Sequence, residues 1–140
     1  MTFDFWSVIG SSPMRDASDV HVALSEVGAR LQSLDLADLV AFQEQLAIQL
    51  ERLGRDDLAA LPIEARGGAI YWQTEDHFLY ARCACLLAGQ EAVRRVVGEP
   101  EWFAAFVVPN LQSSEKLMYL ADREYELQAG EAMKVVQMPD

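Results

Sequence analysis

The chain has few of the residues that build turns, cross-links and metal sites. Its 140 residues include 8 glycines, 5 prolines, 2 cysteines and 2 histidines. Glycine and proline this sparse, lying between periodic segments, argue against a turn-dense β-sandwich and for helices. No window reaches the ~18–20 apolar residues that a membrane span needs. Met1–Trp6 has no basic region and no long apolar run after it, so no signal peptide is expected. Cys83 and Cys85 are two apart in a helical segment and point to different sides, which disfavours a disulfide between them. Together these absences lead to the expectation of a cytoplasmic protein in a reducing compartment.

Positive charge is scarce as well. Eleven Lys and Arg face 22 Asp and Glu, for a net charge of −11. Nucleic-acid affinity comes largely from cations that release phosphate counterions, so no nucleic-acid partner is expected. Arg94-Arg95 is too little for a basic stripe. Anionic membranes are disfavoured for the same reason. Small molecules, neutral surfaces and basic proteins remain as partners, and solubility alone also accounts for such a charge.

What the chain does contain is ordinary globular material, with 51% hydrophobic and 24% charged residues. This length fits one domain with a self-sufficient core. Thr2 is placed to cap a short helix through Ile9, and Phe3, Phe5, Trp6 and Ile9 crowd it enough to demand docking on the body. Val20, Leu24, Val27, Leu31 and Leu34 form one face of a helix over residues 18–34. Gly28 inside that helix costs ~1 kcal/mol relative to Ala, which predicts a close neighbour there. Asp35 caps a third helix whose inner face is Leu39, Phe42, Leu46, Leu50 and Leu53, with Gln43 on the outer side. These two helices are expected to pair and to organise the fold.

Asp56 and Asp57 are placed to cap a short fourth helix that stops at Pro62. Gly67-Gly68 breaks the chain, and an irregular buried loop is expected here, with a short extended piece near residues 69–73 as the alternative. Thr74 or Asp76 caps a helix to Ala88, and another runs from Gln90 to Val97. Pro100 opens a further one with Trp102, Phe103, Phe106 and Val107 facing inward. Ser113 or Ser114 begins the last long helix, to Ala129. The expected fold is mainly α, a single helical domain of six to seven helices over residues 1–130 with a loosely held tail at 131–140.

Several short motifs recur in a telling order. They are Phe5-Trp6, Val40-Ala41-Phe42-Gln43, Asp57-Leu58, Gly67-Gly68, Glu75-Asp76, Phe78, Arg82, Gly89, Glu91, Glu99-Pro100-Glu101, and Lys116-Leu117-Met118-Tyr119-Leu120-Ala121 with Tyr125. In this order the chain resembles the bacterial domain of unknown function family 4240. The resemblance implies a cytoplasmic, mainly helical single domain and brings no activity. Family members are aromatic around the Asp-Leu turn, whereas here Arg55 precedes it and Ala59 follows. Tyr71 and Trp72, in what looks like a small insertion, are candidates to replace those aromatics.

No catalytic motif stands out. Glu75, Asp76, His77, Cys83 and Cys85 share one helix, but positions one or two apart diverge and cannot converge on a metal, so no metal or cofactor is expected. The thiols lie mid-helix beside Leu86 and Leu87 and read as packing groups rather than nucleophiles. Gly67-Gly68 has no Lys-Ser/Thr after it and matches no phosphate loop. Two functional readings remain. The leading one is a non-enzymatic interaction or regulatory protein binding a partner, of which an immunity-like protein neutralising a basic one is a specific form, with Trp6 and Trp72 as contact candidates. The alternative is a small-molecule or enzymatic site where Asp57, Gly68, Asp76 and Arg82 meet. For these four residues, capping and structural pairing are the competing roles.

Overall fold

The computed structural model describes residues 3–64, 67–134 and 136–139. Among them are seven α-helices: α1 Phe5–Ile9, α2 Ala17–Leu31, α3 Leu36–Arg52, α4 Asp56–Ala59, α5 Glu75–Ala88, α6 Gln90–Gly98 and α7 Leu117–Ala129. Two 3₁₀ segments, Pro100–Phe106 and Gln112–Lys116, and two short strands, β1 Ile63–Glu64 and β2 Ile70–Tyr71, complete the mainly α fold.

Local chemistry starts most of the longer helices. Asp16, Asp35 and Thr74 each accept a hydrogen bond from the backbone N–H three residues on, satisfying an otherwise orphaned donor. The cap expected at Thr2 falls outside the described residues; α1 is capped by Asp4, which accepts from Ser7 N. Helix α4 has Arg55 at its cap position and no side-chain cap, so Asp56 and Asp57 sit in its first turn instead. The Pro100 segment and the start of the last helix wind as 3₁₀ rather than α.

The organising centre differs from the expected one. Helices α2 and α3 hardly touch beyond their shared turn; α7 packs on both of them. The hub is α5, in which every residue from Ala81 to Leu87 is buried, and which meets α2, α3, α6 and both 3₁₀ segments. A helix that is apolar on all sides can only be stable when surrounded, and Leu86, Leu87, Cys83 and Cys85 meet that condition. α7 also explains a second departure. Gln43, expected on the outer side of α3, is buried because α7 covers it, and its Nε2 donates to the Met118 carbonyl at 2.9 Å.

At the N-terminus, Phe5, Val8 and Ile9 are buried, and Phe5 lies 5.1 Å from the Phe42 ring. At the other end, residues 131–134 and 136–139 have no regular secondary structure, yet Met133 is buried and Val136 and Met138 lie against the core.

Candidate functional site

The segment after α4 is an antiparallel ribbon, with Ile63 opposite Tyr71 and Glu64 opposite Ile70. Gly67 and Gly68, both at positive φ (87° and 84°), lie in the connection, a backbone region that glycine enters without a Cβ penalty. The extended piece near residues 69–73 is therefore present. It is not a buried loop: Ile70, Tyr71 and Trp72 are 62%, 57% and 75% exposed. A two-stranded ribbon has too little surface of its own to cover both faces; Ile63 of β1 packs against the core, and β2 is left open.

One side chain moors the ribbon. Gln73 Nε2 donates to the carbonyls of Leu58, Ala59 and Leu61, at 2.9, 3.2 and 2.9 Å. These carbonyls lie at the end of α4, where helical partners run out. Exposed acids border the ribbon: Asp56 and Asp57 on α4, Glu64 on β1, and Glu75 and Asp76 on the first turn of α5.

The four residues considered as a ligand site have separate duties. Asp57 is bound by Arg55, whose Nε and Nη2 donate to its two carboxylate oxygens at 3.0 and 2.5 Å. That pairing holds the Asp57 carboxyl below the usual carboxylate range. Arg55 also donates to the Val97 carbonyl at 3.0 Å, tying α4 to α6. So the arginine that departs from the family's aromatic turn is a structural tie. Arg82 is buried; its Nη1 donates to the Leu50 carbonyl at 3.0 Å near the end of α3, and its guanidinium lies 4.3 Å over the Phe78 ring. Gly68 is exposed, with no heavy atom near its Cβ position. Asp76 lines a shallow groove with Glu75, Met118 and Met138. No described cavity holds two of the four.

Trp6 is half-buried, edge-on to Phe5 at 5.0 Å, while Trp72 is open to solvent. Trp102, expected to face inward, is exposed, with its Nε1 donating to Glu99 at 2.6 Å and Arg95 4.6 Å over its ring. Among the described residues, no three of His, Cys, Asp and Glu gather as a metal site. Burial pushes the thiols of Cys83 and Cys85 up to about 12, far from nucleophilic character at neutral pH.

The largest described cavity lies elsewhere, a groove of about 670 Å³ between α2 and the start of α7. Gly28 lies in its wall, and a Cβ built there meets nothing within 4 Å. The close neighbour expected beside Gly28 is thus replaced by open space. Sequence reading passed over this groove. Its signals were the helical glycine and the Lys116–Arg123 spacing of two turns, which acquire meaning only once α2 and α7 are known to be neighbours.

The fold and these surfaces define a mainly α domain with an exposed aromatic ribbon. Residues 1–127 match the family model described as "Protein of unknown function (DUF4240)", and the chain belongs to that family. No curated protein and no solved structure matches the chain. Among the described residues, no helix is long and apolar enough to cross a membrane.

Proposed function

We propose that this chain is a non-enzymatic interaction protein of the bacterial cytoplasm, and that it takes a basic protein partner on the ribbon that ends at Trp72. The observation that carries the reading is the run Ile70-Tyr71-Trp72, three adjacent apolar side chains left open, with the exposed Glu64 opposite Ile70 and the exposed Glu75 and Asp76 three and four residues after Trp72. Exposed tyrosine and tryptophan faces attract guanidinium and ammonium groups, by ~0.5–1 kcal/mol at open sites and more once water is excluded. Neighbouring carboxylates add attraction and orient the approach. Aromatic anchors inside a polar rim are the usual anatomy of a protein interface. An immunity-like role, neutralising a basic toxin, is a specific form of this reading, and the net charge of −11 suits it.

The test is affinity capture from the native host with the wild-type chain and with Tyr71→Ala/Trp72→Ala and Glu75→Lys/Asp76→Lys variants. The reading predicts a specific basic partner that is lost in both variants and released by salt. Recovery of no specific partner, or of the same partner by all three proteins, overturns it.

A further inference from the structure

From the groove between α2 and α7 we infer a binding site for a small organic anion, a molecule carrying carboxylate or phosphate groups. The inference goes beyond the ribbon reading and shares no residue with it.

Most basic side chains of this acidic protein are already engaged. Arg15, Arg30, Arg55 and Arg94 pair with carboxylates, Arg95 lies over Trp102, and Arg82 is buried against Leu50. Lys116 and Arg123 have no such partner among the described residues, and both line the groove. His21 lines it from α2, and no Asp or Glu is among its lining residues. In a chain with twice as many acids as bases, this is an inversion of the local charge.

Geometry makes the cations act together. Gln128 Nε2 donates to the Leu34 carbonyl at 3.1 Å, which brings the C-terminal ends of α2 and α7 together. The two helices therefore run side by side in the same direction, with Lys116 near the His21 end. Lys116 and Arg123 are seven residues apart on one face, about 10.5 Å along the axis at 1.5 Å per residue. Two long, flexible side chains at that spacing can close on one anion or hold two anionic groups of one molecule. Between them, Leu24 and Leu120 provide an apolar floor, and Gly28 keeps the opposite wall open. The volume lies in the range of small-molecule sites, ~300–1,000 Å³.

The overall negative charge does not forbid this. At physiological ionic strength the Debye length is ~8 Å, so acids on other faces are largely screened while the lining cations act at contact. Of the nearby acids, Glu26 faces Arg30, and Glu115, Asp122 and Glu124, which flank the two cations in sequence, do not line the groove. Guanidinium and ammonium together suit both carboxylate and phosphate oxygens.

The experiment is an NMR titration of the full chain, following backbone amides, with pyrophosphate and separately with suberate, an aliphatic dicarboxylate. Saturable shifts confined to Gly28, Ala29 and residues 116–123 are expected. Response to pyrophosphate alone assigns the site to phosphate compounds, and response to suberate alone assigns it to carboxylates. Lys116→Gln/Arg123→Gln should weaken the responding probe by at least about tenfold. Gly28→Phe, which fills the groove and keeps both cations, should abolish the shifts. The inference is overturned if neither probe saturates, if the double variant binds as the wild type does, or if a folded Gly28→Phe protein binds undiminished.

Discussion

Arg30 Nη1 donates to the Val8 carbonyl at 3.0 Å and stands 2.9 Å from where a Cβ on Gly10 would lie. This relationship fixes the aromatic N-terminal turn to α2. It requires residue 10 to be small and to hold φ at 72° with ψ at −152°, a combination reserved in practice for glycine. Gly10→Ala should therefore destabilise the protein by about 1–3 kcal/mol in denaturant unfolding. Gly28→Ala should do the opposite. It sits mid-helix with open space around its Cβ position, and gains about 0.5–1 kcal/mol from helix propensity alone.

Arg82 separates a structural role from a ligand role. Arg82→Met keeps most of the side chain's length but removes the donor to Leu50 and the charge over Phe78. A loss of about 1.5–3 kcal/mol is expected, the usual worth of a charged hydrogen bond. Asp57→Asn should leave the unfolding midpoint essentially unchanged, because the Asp57 carboxylate meets Arg55 at an exposed position where solvent screens the pair. If Arg82→Met unfolds at the same denaturant concentration as the wild type, the structural role is wrong.

The buried thiols make stability fall in alkali. Their folded-state pKa is raised by burial, from 9.0 to about 12. Above pH 9 the unfolded chain loses thiol protons that the folded chain retains. The unfolded state then binds fewer protons, so unfolding free energy decreases as pH rises. The slope should approach about 1.4 kcal/mol per pH unit for each thiol. Comparing unfolding curves of the wild type and Cys83→Ala/Cys85→Ala across this range isolates the effect, which should be much smaller in the variant. In the native protein at neutral pH, both thiols should react with a disulfide reagent only as fast as the structure opens.

Gln73 should control the ribbon locally. Gln73→Ala removes the single amide that donates to Leu58, Ala59 and Leu61. The hydrogen-bonded amide of the ribbon should exchange faster, while core amides such as that of Leu86 exchange as in the wild type. Trp72→Ala should leave stability within about 0.5 kcal/mol, because the side chain is open to solvent.

Much of this architecture was legible in the sequence. Helix periodicity placed α2 and α3, and Asp35 and Thr74 were recognisable as caps, because these depend on residues three or four apart. Cys83 and Cys85 beside Leu86 and Leu87 were legible as packing groups, and all four are buried. The order of short motifs gave the family that the match over residues 1–127 shows. What stayed hidden depends on which helix lies beside which. Gln43 reads as a surface residue until α7 covers it, and Arg82 reads as a site residue until the end of α3 receives it.

Local interactions between neighbours in the chain thus determined most of the helices, the caps at Asp35 and Thr74 and the mainly α class. Only the tertiary structure decided that α5 and not the α2–α3 pair is the hub, that Tyr71 and Trp72 stand open, and that Lys116, Arg123 and His21 share one groove. The physical reason is that capping and periodicity act over one turn of helix. The pairing of surfaces is decided by the burial of the whole chain at once.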